Sequence, residues 1–598
     1  MRSKSQPTQG YTVYAVSGTN TVSFTIDFRD ADTANLLGFA FERVNLSTGE
    51  KKVPKGYKVF GSVIPNPDKD TSVETFKHPI QSFVWDDFTC TAGESYKYAI
   101  YPMTGKPNAL KKNDPITIQI ETEPYYTTGE HDVFFNSGVA SSQAYARKFN
   151  NLRPDKITDP ILKAECKQWL SRELDDAILK FIGQAAKGDM LYACFYEFRY
   201  EPVVTAFKKA IDKGVKVKII IDAKNNPKLN EENEMVSFPR DANLKMLQDI
   251  GIALDQNIIL REANKGSIQH NKFIVFQKGG EAAPAQVWTG STNISEGGFH
   301  GQTNVGHWIR NKETATAFKK YWTILSVDPG QLDNGDDAGD KAKMASLRLD
   351  IEKLYGNFEF RDWNDIQQGI TCIFSPRSTE KVLKSYAAMF DSADVMACVT
   401  LAFGVNDVFK QALVDNLNTD QLSFMLLEKP DEPKKLKDGK KPKKPFVYIN
   451  AKQNVYKAWG AYLNDPLYQW TREVSTRQLK LNTHVAYVHS KFMLIDPLGD
   501  DPVVITGSAN FSGPSTTSND ENMVIIRGNR RVADIYYTEF NRINNHYYFR
   551  AVYNKVNKDD GAKRKSLFLA ETAAEWLEDY KPGTLKYKKV VARSTMDV

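Results

Sequence analysis

Cysteine is scarce in this chain and unclustered: Cys90, Cys166, Cys194, Cys372 and Cys398 are odd in number, far apart and set among apolar residues. No pair is spaced as CxxC and no His/Cys cluster occurs, which argues against a disulfide framework and against a structural metal and predicts buried thiols in a reducing compartment. Long apolar runs are also missing. None approaches the ~20 residues that cross a bilayer, and Met1 to Ala15 lacks the apolar centre of an export signal. A cytoplasmic protein starting near Met1 is expected, while export without a cleavable signal stays compatible with the sequence. Net charge is small for the length, +6, which suits an anionic partner without separating nucleic acid from a lipid surface. Histidine is rare as well, 8 in 598 residues, so any pattern among histidines is informative.

A length of 598 residues predicts three or four domains, and 41% apolar with 25% charged residues is ordinary globular composition. Residues 1–125 alternate with period two in short segments (Tyr11 to Val16, Thr21 to Phe28, Leu37 to Glu42, Tyr57 to Val63, Ile116 to Glu121) separated by Gly, Pro, Asn and Asp. That pattern predicts an all-β sandwich. Phe83-Val84-Trp85 followed by Gly93 to Tyr101 resembles the late strands of a fibronectin type III or immunoglobulin-like domain, with Tyr96 or Tyr98 as a candidate tyrosine corner. The segment carries no catalytic motif and reads as a spacer or docking module whose partner the sequence does not specify.

From about Val133 the pattern becomes α/β. Ser171 to Lys187 places Leu174, Ile178, Phe181, Ile182 and Ala185 on one helical face. Met190 to Tyr196 reads as a buried strand, Pro202 to Lys213 as a helix and Val215 to Ile221 as a strand, a βαβ unit that implies a mixed sheet flanked by helices. The plan recurs with a helix from Thr379 to Phe390, a strand from Val395 to Leu401, a helix from Asp407 to Asn416 and a strand from Leu422 to Leu427. Two homologous lobes are expected, 126–340 and 341–598, the second with a C-terminal extension. Pro329 to Asp340 is the expected hinge, and the lysine- and proline-rich Lys429 to Pro445 an exposed loop.

Each lobe contains one copy of a compact motif. The first is His270-Asn271-Lys272, an apolar run, Gly290-Ser291-Thr292-Asn293, and then Asn304. The second is His489-Ser490-Lys491, an apolar run ending at Asp496, Gly507-Ser508-Ala509-Asn510, and then Glu521. Asn304 follows Asn293 by the same eleven residues that separate Glu521 from Asn510. Two histidines, two lysines and two amides suit attack on a phosphodiester. One imidazole attacks phosphorus while the other protonates the leaving oxygen. Lys272 and Lys491, as unperturbed ammoniums, are poor acids at neutral pH. They would instead act as fixed charges that bind the non-bridging oxygens together with Asn293 and Asn510. Ser291 and Ser508 either donate to the substrate or shape the turn. His300 and His307, which flank Asn304, and His484, just before the second motif, read as satisfied polar residues ahead of cleft-lining ones, and His78, His131 and His546 carry no functional reading.

At these residues the chain resembles the phospholipase D superfamily, whose signature, HxKxxxxD followed by GSxN, occurs twice in a single chain; the resemblance spans about residues 130 to 550. It implies two lobes related by a pseudo-two-fold axis, a covalent phosphohistidine, and neither metal nor cofactor. It also implies that the late residue of each lobe reaches across to the other lobe's histidine, Glu521 to His270 and Asn304 to His489. A carboxylate raises basicity where an amide only orients, so His270 is the expected nucleophile and His489 the general acid. Two positions depart from the pattern. Gln277 replaces the Asp that Asp496 supplies in the second copy, which is expected to be structural, and Asn304 is an amide. The resemblance favours a glycerophospholipid substrate with peripheral membrane contact. A nuclease acting on DNA or RNA is the alternative, and a non-catalytic phosphate-binding module the third reading.

Overall fold

The computed structural model describes residues 1–598 except 68–70, 139–144, 146–147, 151, 153, 231–232, 265, 332–337, 356–362, 416–420, 430–454, 460–487 and 557–567. Nearly all of the lysine-rich loop, and His484, lie outside the described residues.

Two seven-stranded sheets form the body. The first comprises β1 (His131–Phe135), β2 (Met190–Phe195), β3 (Lys216–Asp222), β4 (Ile258–Arg261), β5 (Lys272–Gln277), β6 (Gln286–Gly290) and β7 (Val305–Ile309), in the order β1-β7-β6-β5-β2-β3-β4. The second comprises β8 (Gly369–Ser375), β9 (Met396–Leu401), β10 (Leu422–Leu427), β11 (Val455–Trp459), β12 (Phe492–Ile495), β13 (Val503–Gly507) and β14 (Glu521–Arg527), in the identical order β8-β14-β13-β12-β9-β10-β11. In both, the second, third and fourth strands run parallel and the remaining pairings are antiparallel. The mixed, duplicated α/β plan expected from the sequence is therefore the observed one.

The strands that follow each HxK have no alternation because both faces are covered: every residue of β5 and of β12 is buried. On one face of the first sheet lies the helix Leu174–Gly183, with Ile178, Phe181 and Ile182 inward. It starts later than the periodicity suggested because Arg172, at φ 54°, ends the preceding helix Pro160–Ser171. The other face meets the second lobe. Phe273, Phe318, Tyr321 and Trp322 share one core with Phe374, Phe492, Tyr536 and Phe540, and Tyr321 stacks on Phe374 at 4.5 Å. The lobes are thus joined by a continuous apolar core. The expected hinge begins with anchored chain: Asp328 pairs with Arg261 at 2.8 Å and Gln331 N donates to Ala263 O. Its end lies within the helix Ala338–Tyr355.

The N-terminal region is all-β and antiparallel, with one sheet holding Thr12–Ser17, Val22–Asp27 and Val84–Asp87 and a second built around Leu36–Asn45 and Ser95–Lys106. Tyr96 Oη accepts from Thr91 N at 2.8 Å, whereas Tyr98 Oη donates to Asp87. Rather than standing off as a spacer, the region is built into the body. Val16 enters the inter-lobe core, and Arg2 pairs with Asp534 and donates to the carbonyls of Pro497 and Leu498. The C-terminal segment, grouped above with the second lobe, returns to the sandwich and places Trp576, Tyr580 and Val590 in its core.

Candidate active site at the lobe junction

His270 and His489 each stand immediately before an HxK strand, and each is pinned from the opposite lobe. His270 N donates to Asp520 O at 2.9 Å and Asp520 N to Ile268 O at 3.0 Å, while His489 N donates to Thr303 Oγ1 at 3.2 Å. These crossings bring the start of β14 beside His270 and the start of β7 beside His489. His270 Nδ1 lies 3.0 Å from both oxygens of Glu521, and His489 Nδ1 lies 2.8 Å from Asn304 Oδ1. Nδ1 is thus engaged on each ring by a residue of the opposite lobe.

The GSxN turns support those partners. Ser508 Oγ donates to Glu521 Oε2 at 2.6 Å and accepts from Asn522 N; Ser291 Oγ donates to Asn304 Oδ1 at 2.8 Å and accepts from Val305 N. Both hydroxyls are thereby committed to protein groups, and Asn304 is fully buried under His489. Of the two roles open to Ser291 and Ser508 these contacts are those of turn-shaping, and Asn304 meets His489 as the resemblance implied. The preceding glycines are sterically required. A Cβ at Gly290 would lie 2.2 Å from Val305 O, and one at Gly507 2.2 Å from Asn522 O.

Lys272 Nζ donates to His270 O at 2.6 Å and Lys491 Nζ to His489 O at 2.5 Å, both lysines being buried. Neither ammonium is unperturbed. Burial lowers Lys272 to about 8, against the pull of Glu521 and Glu197, and burial with repulsion from Lys272 takes Lys491 well below its ordinary value. Burial, reinforced by the two lysines, likewise holds both imidazoles well below theirs, and burial lifts Glu521 to about 7. Burial and mutual repulsion thus hold the four bases of this cluster toward their neutral forms.

Asn293 and Asn510 are both nearly buried, and neither Oδ1 has a partner among the described residues. Asn293 Nδ2 donates to Glu197 Oε1 at 2.9 Å, and Tyr196 packs edge-on against His270 at 5.2 Å. Tyr196 and Glu197, just past β2, belong to no motif, and no local pattern marks either as part of a site. Only the register, with Phe195 opposite Lys272, places them at the site.

Asp496 is structural in its contacts: its carboxylate accepts from the backbone N–H of Asp394, Val395 and Met396 at 2.7, 2.8 and 2.8 Å, tying the end of β12 to the start of β9. In the first lobe the same junction is tied from the other strand. Asp189, just before β2, accepts from Ala186 N and from Gly279 N beyond β5. Gln277 is thus released from that duty and donates to Glu281 O. The outlying histidines are engaged elsewhere, His131 with His307 at 3.0 Å and His300 with Glu296 at 2.7 Å.

The duplicated sheets meet through the paired HxK and GSxN elements. The family described as "Cardiolipin synthase, PLD-like domain" matches residues 178–324 and 443–544, stretches that hold both motifs and lie outside the N-terminal sandwich. No curated protein matches the chain. Among solved structures, it is similar to the phosphatidylserine synthase of Haemophilus influenzae Rd KW20 (12% identity, TM-score 0.40, 71% of this chain and 93% of that one). It is also similar to the polyphosphate kinase of Porphyromonas gingivalis (11%, 0.35, 60% and 46%) and to Nuc of Salmonella typhimurium (23%, 0.18, 25% and 83%).

Proposed function

We propose that the chain cleaves or transfers phosphodiesters through a phosphohistidine at His270, with a glycerophospholipid as substrate. The observation that carries this reading is the unequal pair at the lobe junction, an imidazole on a carboxylate and an imidazole on an amide. His270 Nε2 attacks phosphorus, the P–N bond forms as the P–O bond breaks, and His489 gives its proton to the departing alkoxide. Water or an alcohol then loses its proton to His489 and attacks phosphorus, and the P–N bond breaks. Glu521 stabilises the charge that the His270 ring acquires, and Lys272 and Lys491 hold the non-bridging oxygens.

The choice of lipid is supported by exposed aromatics near the site. Phe238, 42% exposed, packs edge-on against Tyr196, and Phe403, 66% exposed, stands two residues past β9. Wild type and His270→Ala are compared in EDTA on mixed phosphatidylcholine and phosphatidylethanolamine vesicles, and on single- and double-stranded DNA and RNA. Head-group release that disappears in the variant is the expected result. Nucleic-acid cleavage that disappears instead would keep the chemistry and replace the substrate. If neither class is attacked, the chain is a phosphate-binding protein and the catalytic reading is wrong.

A further inference from the structure

The two lobes differ at one position beside the phosphate-binding amides. Phe195, the last residue of β2, lies opposite Lys272. Extending the Val399–Met493 register by two residues puts Leu401, the last residue of β9, opposite Lys491. Two residues further on, the first lobe has Glu197 and the second has Phe403. Glu197 is 8% exposed, accepts from Asn293 Nδ2 at 2.9 Å through one oxygen and from Arg199 Nε and Nη2 at 3.0 and 2.8 Å through the other. Phe403 points outward, and among the described residues no carboxylate meets the side-chain amide of Asn510.

We propose that Glu197 is a positioning residue that fixes which end of the Asn293 amide serves the phosphate. This rests on the phosphodiester reading above and deepens it. A carboxylate whose other oxygen takes an arginine is an acceptor, so only the nitrogen end of the amide can face it. The amide is planar, so fixing one N–H fixes its twin, and that second N–H is the donor for a non-bridging oxygen. Oδ1, the end a phosphate would repel, is buried and has no hydrogen-bond donor among the described residues. Freed from Glu197, the amide can turn over and set a carbonyl against the anion. The first lobe thus holds phosphate through a preset donor, and the second, with Phe403 in the matching place, through an amide that no carboxylate has set.

The test uses orthovanadate, a tetrahedral phosphate mimic that becomes five-coordinate when a nucleophile adds to it and that needs no knowledge of the natural diester, titrated calorimetrically into the full chain. Asn293→Ala and Glu197→Ala should each weaken binding by roughly tenfold, the loss of one hydrogen bond to a charged group. The double variant should be no weaker than either single. Glu197→Gln, which fills the same volume, should weaken binding as much as Glu197→Ala, because Arg199 takes its oxygen and its Nε2–H then faces Asn293 and turns that amide over, a loss that a general packing defect would not give. Should Glu197→Ala fail to fold, Glu197→Met takes its place. Additive losses in the double variant, or wild-type binding by Glu197→Ala or by Glu197→Gln, would each overturn the proposal. Failure of the underlying reading looks different: vanadate would then bind wild type and His270→Ala alike.

Discussion

Replacing Glu521 by Gln separates orientation from charge at the nucleophile. The amide keeps an acceptor for His270 Nδ1, 3.0 Å away, and for Ser508 Oγ at 2.6 Å, so the ring should stay in place. What disappears is the negative charge beside an imidazole that becomes cationic as phosphorus bonds to Nε2. Two unit charges about 4 Å apart at an effective dielectric of about 20 interact by about 4 kcal/mol, which corresponds to about a thousandfold in rate. The assay is kcat on a chromogenic aryl phosphodiester from pH 5 to 9. Wild-type kcat should climb through about pH 7, where burial has placed the Glu521 titration, and the variant should lose both the thousandfold and that limb. The stability sign runs the other way. A folded value raised from 4.5 to about 7 favours the folded state at low pH, and that contribution is lost as pH rises from about 4.5 through 7; Gln should flatten this slope in urea titrations. A loss under threefold for Glu521→Gln, beside a loss of a hundredfold or more for Asn304→Ala, would refute the argument and make His489 the nucleophile.

Three further outcomes are expected. Asp496→Ala strands three backbone N–H groups at the start of β9 and should destabilise the chain by about 2–4 kcal/mol in urea unfolding, with the kcat of the folded fraction within about twofold of wild type. Asp520→Asn removes one of the two charge partners of the wholly buried Arg261, 2.9 Å away, and leaves Asp328 as the other; it should cost about 1–3 kcal/mol by the same measurement. Trp576→Ala removes a ring that stacks on Phe83 and donates to Leu36 O. It should cost about 3–5 kcal/mol and expose the C-terminal helices to limited proteolysis before the lobes are cut.

Local pattern carries a great deal in this chain. The apolar runs after His270 and His489, the helix and strand periods around Ile178 and Cys398, and the alternation before residue 125 each report the burial of a short stretch, and burial of that kind is written into the order of side chains. The repeated HxK and GSxN spacing marked the residues that gather at the lobe junction, and the resemblance it carried gave the cross-lobe pairing of Glu521 with His270. Tertiary structure alone decided the rest. That Ser291 and Ser508 turn inward, that Glu197 latches Asn293, and that Asp189 ties in the first lobe what Asp496 ties in the second all depend on strand register. The return of Trp576 to a sandwich built from the first 125 residues depends on packing across nearly the whole chain. Side-chain order encodes which face of an element is apolar, but contacts between residues hundreds of positions apart are set by how those faces stack, and no local period contains that information.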